Sequence, residues 1–313
     1  MNEASLGEPA IVCAGHPRDM GQAQGEALRE VIRAAVARAG LSTRRSRWPS
    51  LRPVVSGPLR GSGAGREFFR HFAHQAERLE GLAQAADLPL DSLLALQLRV
   101  GAGALAGGEL GDAAWIVRES RPVVGFRSLE RTLAWLVPAV AGVNEAGLAL
   151  IAPLPSAGAR ERTAAAAGSR SGGNGTAPPR AVDAPSLLLV QDCLARFEHL
   201  AGALDWCRKR PAEGEQTIVL ADASGGRGAV EFRGRERRVE SSGAADAGAG
   251  VPDPVGPRAG ELTGELLVGG AGRGPERIAI DPVARILRVT AAGSGAPHAF
   301  GFVPLPPSGA HAA

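Results

Sequence analysis

Residues Leu93–Ile151, LLALQLRVGAGALAGGELGDAAWIVRESRPVVGFRSLERTLAWLVPAVAGVNEAGLALI, decide how the rest of the chain is read. The stretch centres on Gly101-Ala102-Gly103-Ala104-Leu105-Ala106, where a short helix over Leu93–Leu98 is expected to run into a strand of small residues. Apolar strands are predicted at Ala114–Val117, Pro122–Phe126 and Pro138–Val143. The last is joined to Gly147–Ala152 by the turn Asn144-Glu145-Ala146-Gly147, in which Gly147 suits the positive φ of a hairpin turn.

Upstream, Pro9–Ala14 reads as an apolar strand entering the turn Gly15-His16-Pro17, with His16 a turn residue rather than a base. The next segment places Met20, Ala23, Ala27, Val31 and Val36 near helical spacing, so one helix with a buried face is expected there. Gly21 and Gly25 lie four apart on it and suit close helix packing. Leu41–Gly65, rich in Arg, Ser, Pro and Gly, reads as a surface loop. A helix from Glu67 then aligns Phe68, Phe72, Ala76, Leu79 and Ala83. His71 and His74 are three apart on it, but no carboxylate or thiol completes a metal-site spacing. Asp91 is a plausible cap for the helix that leads into the central stretch.

Downstream, Ser156–Ala184 has few aromatic or β-branched residues and is expected to be a disordered insertion. Ser186–Arg208 reads as one long helix burying Leu187, Val190, Leu194, Phe197, Ala201, Leu204 and Trp206. Thr217–Ala221 and Gly228–Phe232 alternate as a hairpin around Ala223-Ser224-Gly225-Gly226. Ser241–Gly260 is a second Gly/Ala/Pro-rich insertion, and Ala284–Thr290 and Ala299–Val303 read as closing strands.

The 313 residues are 44% hydrophobic, enough for one large core or two modest ones. No apolar run approaches the eighteen residues of a membrane span, and the acidic start lacks a signal-peptide core, so a soluble, cytoplasmic protein without a membrane partner is expected. The net charge of +3 rests almost wholly on arginine, Lys209 being the sole lysine. Clusters at Arg44-Arg45-Arg47, beside Trp48, and at Arg233-Arg235-Arg237-Arg238 read as solvated faces, because Glu236 interrupts the second and no base-stacking motif accompanies either. Cys13, Cys193 and Cys207 form no metal spacing, and their odd number argues against a disulfide framework. No cofactor motif is present, since Gly101–Gly108 lacks the spacing and following helix of a phosphate-binding loop.

Four segments in order carry a resemblance to a known family. They are Pro17-Arg18-Asp19-Met20-Gly21-Gln22-Ala23-Gln24-Gly25-Glu26; Glu80-Gly81-Leu82-Ala83 through Asp91-Ser92-Leu93-Leu94-Ala95-Leu96; Gly142-Val143-Asn144-Glu145-Ala146-Gly147-Leu148-Ala149; and Leu220-Ala221-Asp222-Ala223-Ser224-Gly225, with Glu231 beyond. Together they resemble the acyl-coenzyme A:6-aminopenicillanic acid acyltransferase family of N-terminal-nucleophile hydrolases. The resemblance implies an α+β fold, the four-layer α/β/β/α sandwich of that superfamily, over a single domain 1–313 with insertions at 156–184 and 241–260. Two tandem domains linked by 156–184 are the alternative.

Such enzymes cleave their own precursor before a cysteine and use it for acyl transfer or amide hydrolysis. Here the matched nucleophile position is Ala102, and no Cys, Ser or Thr occurs between Leu93 and Glu119. A methyl group can neither attack an acyl carbon nor start self-cleavage. The matched oxyanion asparagine is Thr217, five residues before Asp222. The family's Arg-Asn-x-Asp is Arg118-Glu119-Ser120-Arg121, and no Asn-His-aromatic segment follows Glu231. Backbone-shaping positions match while chemical ones do not, which implies a non-catalytic relative that binds a small acyl or amide ligand or a protein. Arg118, Asn144, Glu145 and Asp222 are its candidate pocket residues, with turn formation as the structural alternative for the polar turn residues. Two other functions stay open: an active amidase or acyltransferase using another nucleophile, with Cys13 the nearest candidate, and an acidic-surface or nucleic-acid binder using its arginines.

Overall fold

Alternation along the central strands assigns each side chain to a layer. The computed structural model describes residues 7, 9–44, 63–101, 115–154, 184–242, 261–266, 276–291 and 297–302. Strand β1 (Ile11–Gly15) runs parallel to β2 (Trp115–Pro122), and β3 (Ser128–Leu133), β4 (Ala141–Asn144), β5 (Ala149–Ile151), β6 (Thr217–Ala221), β7 (Arg227–Arg233) and β8 (Glu236–Ser242) follow antiparallel in that spatial order. A second sheet of β9 (Leu262–Leu266), β10 (Glu276–Asp281), β11 (Ile286–Thr290) and β12 (His298–Phe300) is antiparallel throughout.

Helices cover one face of the large sheet. They are α1 (Pro17–Ala27), α2 (Arg29–Arg38), α3 (Gly63–His71), α4 (Ala73–Ala85), α5 (Leu90–Gly101), α6 (Leu188–Arg196) and α7 (Leu200–Lys209). Helix α1 lies against β1 and β2, α6 against β4 and β5, and α7 against β7 and β8. A Cβ on Gly142 would meet Leu194 of α6 at 3.0 Å, whereas one on Gly264 of β9 would meet Ile151 at 3.0 Å. Gly142 and Ile151 occupy alternate positions of the β4–β5 ladder, so the four-stranded sheet lies on the side opposite the helices. One apolar cluster running from Ile32 to Val289 fills both interfaces.

The architecture is therefore mixed α/β, with a helical layer, a large mixed sheet and a smaller sheet. On the small sheet, Ile278, Ile280, Leu287 and Val289 are buried, while the alternate positions Arg277, Ala279, Arg288 and Thr290 are not. That polar outer face has no helix over it among the described residues.

Several expected elements differ. Each long helix is broken: the first at Leu28 (φ −119°, ψ 19°), the second at Phe72 (φ −126°, ψ 48°) and the third at Phe197 (φ −118°, ψ 140°). Apolar spacing continues through all three breaks, and hydrophobic periodicity alone therefore cannot mark them. Of the strand expected at Pro122–Phe126, only Pro122 is in a strand, as the last residue of β2; 123–126 turn away, with Val123 and Val124 exposed by 62% and 86%. The reversal is imposed at Gly125 (φ +107°), where an added Cβ would overlap the Ala195 carbonyl oxygen. Strands β3, β8, β9 and β10 were not expected, because SLERTL, ERRVESS and ERIAID interrupt their apolar residues with charge and LTGEL is short and carries a glycine. Gly101, where a strand was expected to begin, is the last residue of α5, while 102–106, residues 156–183 and 243–260 of the two insertions, and Val303 lie outside the described residues.

The close α1–α4 packing expected of Gly21 and Gly25 is present. A Cβ on Gly21 would overlap the Arg78 carbonyl oxygen, and one on Gly81 of α4 would overlap that of Arg18. Gly147 holds φ at +96° and closes the β4–β5 turn.

Candidate functional site

Polar residues on the helix-facing side of β2 and β3 form a buried cluster. Arg118 is fully buried and spends all five N–H donors: Nε on Glu130, Nη1 on Gln24 Oε1 (2.8 Å) and the Leu136 carbonyl (2.9 Å), and Nη2 on the Val137 carbonyl and Gln191 Oε1 (3.2 Å). Glu130 also accepts from Ser128 Oγ and from Gln191 Nε2. Burial alone would push its carboxyl up, but the charges of Arg118 and Arg78 and those hydrogen bonds hold it below the usual carboxylate range.

Arg78 of α4 enters the same cluster, its hydrogen bonds going to neutral groups. Its Nη1 reaches Ser120 Oγ at 3.2 Å, its Nη2 reaches Gln24 Oε1 at 3.5 Å, and its Nε has no hydrogen-bond partner. Burial, then the charge on Arg118, lowers its pKa to about 10. Cys13 of β1 faces these two cations, but burial outweighs them and pushes its thiol up. A fully buried, protonated thiol is a poor nucleophile.

Asn144 and Asp222 perform a different task. The Asn144 amide donates to the carbonyls of Leu194 (2.9 Å) and Phe197 (2.7 Å), and its Oδ1 accepts from the N–H groups of Ala146 (3.1 Å) and Leu148 (2.9 Å). Asp222 accepts from Leu200 N–H (2.9 Å), Ser224 N–H (3.0 Å), Ser224 Oγ (2.6 Å) and Gly226 N–H (3.1 Å). Burial favours its neutral form, yet those bonds outweigh it and lower the pKa. Together the two side chains fasten the α6–α7 corner and so set the break at Phe197. Glu145 accepts from Arg127 N–H at 2.9 Å, tying the β4–β5 turn to the β2–β3 turn.

The registers place these residues relative to the expected chemistry. The end of the sheet where β2 starts, at Trp115, also carries Leu133, Ile151 and Thr217. Asn144, Glu145 and Asp222 lie at the opposite end, with Ser120, Arg121 and Ser128. The four candidate pocket residues thus do not converge: Arg118 belongs to the buried cluster and the other three to turns. Thr217 is exposed at the start of β6, and Ala102 lies outside the described residues. The two altered positions Glu119 and Arg121 pair with each other, Nε to Oε1 at 2.8 Å and Nη2 to Oε2 at 3.1 Å, and Arg127 joins them at 2.6 Å. Those hydrogen bonds and charges override the burial that would raise Glu119, and its pKa falls.

Near the start of β2, Arg131 grips Glu276 of the small sheet through both Nη2 contacts at 2.6 Å and lies 5.4 Å from the Trp115 ring centroid. A groove of about 220 Å³ is lined by Glu231, Arg233, Glu236, Arg237 and Arg238. Its cations are engaged within the fold: Arg233 with Glu231 and Arg238 with Glu240, both at 2.8 Å, and Arg237 with the carbonyls of Cys207, Arg208 and Ala212. Of the other arginine cluster, only Arg44 is among the described residues.

His71 and His74 lie on either side of the Phe72 break and face different carboxylates, Glu67 at 2.9 Å and Asp192 at 2.7 Å. Asp192 is fully buried and also accepts from Gln75 Nε2 and Trp206 Nε1, each at 3.1 Å, which ties α4 to α6 and α7. His16 caps α1, its N–H donating to Asp19. The sequence does not reveal the Gln24–Arg78–Glu130–Gln191 and Asp192 clusters; the only hint is charge inside apolar runs such as WIVRES and SLERTL. Among the described residues no helix is long and apolar enough to cross a membrane, and no group of three or more His, Cys, Asp or Glu could hold a metal ion. No protein-family model and no curated protein matches the chain.

Proposed function

We propose that the chain is a non-catalytic relative of the penicillin acyltransferase-like family, acting by binding a small acyl or amide ligand or another protein. In this reading the helices and two sheets belong to a four-layer α/β/β/α sandwich. One observation carries it: the polar residues that match the family are consumed by the fold. Arg118 has no spare donor, Asn144 makes four hydrogen bonds, and Asp222 receives four. Glu119 and Arg121, where the family carries Asn and Asp, bind each other, and Arg127 shares the same carboxylate. The match therefore preserves architecture where the sequence has lost the nucleophile at Ala102. Cys13 does not restore one, being fully buried with a raised pKa.

The test is the intact mass of the purified chain beside its mobility on a denaturing gel. A single species at 32.0 kDa is expected. Two fragments with a new amino terminus at or near Ala102 would overturn the proposal, because self-cleavage requires the chemistry it denies.

A further inference from the structure

Cys193 of α6 and Cys207 of α7 are fully buried, and their sulfurs lie 3.7 Å apart. No atom separates sulfurs at that distance, and a disulfide needs them at about 2.0 Å. The approach is set by the fold, because Asn144 and Asp222 fix the corner from which both helices depart. Cys13 lies on β1 beside Arg78 and belongs to a different environment.

We propose that Cys193 and Cys207 are an oxidation site, closing an intramolecular disulfide between α6 and α7 when the protein meets hydrogen peroxide. The thiolate of one cysteine attacks a peroxide oxygen and the O–O bond breaks, leaving a sulfenic acid and a hydroxide that takes the released proton. The second sulfur, losing its proton, attacks the sulfenic sulfur; the S–S bond forms, the S–O bond breaks and a second water leaves. Two thiols and one peroxide become one disulfide and two waters, so the peroxide is the two-electron oxidant. The oxidant must be small, since neither sulfur is exposed. The reaction must also be slow at neutral pH: the Cys207 contact and burial push the Cys193 thiol well above its ordinary range and keep the thiolate scarce.

The full-length chain is treated with hydrogen peroxide near pH 7 and near pH 8.5, the latter the ordinary thiol range. Thiols are then alkylated under denaturing conditions, and intact mass and non-reducing peptide maps are read. The expected product has lost two hydrogens, keeps Cys13 as its one alkylated cysteine, and yields a crosslink between the Cys193 and Cys207 peptides, about 30-fold faster at the higher pH because the thiolate fraction of a raised thiol grows about tenfold per pH unit. Cys13→Ala converts equally, whereas Cys207→Ala gives no crosslink. Three alkylated cysteines after treatment, oxygen adducts without a crosslink, or a crosslink through Cys13 would each overturn the assignment.

Discussion

Replacing Asn144 by alanine tests whether this residue is a clamp or a ligand contact. The change removes four hydrogen bonds at 2.7–3.1 Å from a fully buried side chain. Each contributes about 1 kcal/mol net, and a buried partner left unsatisfied costs about 1–3 kcal/mol. The carbonyls of Leu194 and Phe197 and the N–H groups of Ala146 and Leu148 would all lose a partner, although water entering the vacated space recovers part of the loss. The expected destabilisation is about 3–5 kcal/mol, a large share of a typical total of about 5–15 kcal/mol. Urea unfolding followed by circular dichroism reads it as a lower midpoint with an unchanged slope. Asn144→Asp is expected to cost at least as much, since it keeps the acceptor but sets a carboxylate oxygen against two carbonyl oxygens. A loss below about 1 kcal/mol in Asn144→Ala would refute the clamp and return Asn144 to the list of binding residues.

Other perturbations separate the buried groups. Arg118→Met strips Glu130 of its hydrogen-bonded charge partner and is expected to cost about 3–5 kcal/mol, whereas Arg78→Met removes a cation that acts on Glu130 only through space and is expected to cost clearly less; equal losses in chemical denaturation would contradict that division. Gly21→Ala drives a methyl into the Arg78 carbonyl, which a backbone cannot evade, and is expected to cost about 3 kcal/mol; an unchanged melting temperature would show that α1 and α4 can separate freely. Asp222 titrates lower in the folded chain than unfolded, so its stabilisation is present above the unfolded value of about 3.9 and drains as pH falls through the folded value. Asp222→Asn should flatten that part of the acid-unfolding curve, and an identical acid slope would speak against it.

Legibility of the fold in the sequence followed the range of the interactions. Strand β1, the β4–β5 turn and the β6–β7 hairpin are specified by neighbours along the chain, and their residues were readable. The helix breaks were not, because the Phe197 corner is held by Asn144 and Asp222, far away in sequence. Strand β8 has one apolar residue, Val239, in seven, since it lies at an edge of the sheet and its pairing with β7 is specified by backbone bonds. The buried cluster depends on contacts such as Gln24 to Ala134, which no local pattern encodes.

The placement of the matched residues also bears on what the likeness means. A family's active-site match and its architectural match are separable when they fall at different ends of a sheet. Here Asn144, Glu145 and Asp222 stand at the end remote from the start of β2, each engaged by turn or helix backbone. Selection for the fold alone would keep them: without Asn144 and Asp222 the α6–α7 corner would lose side-chain partners for Leu194, Phe197 and Leu200. Under the proposed function, selection for chemistry would instead act on positions such as Ala102 and Thr217, which differ from the family the chain resembles. Under that proposal Glu119 and Arg121 point the same way, because the Glu119 carboxylate is taken up by Arg121 and Arg127 and left with a structural task. In the proposed function, the clamps at Asn144 and Asp222 therefore serve the scaffold and not a reaction.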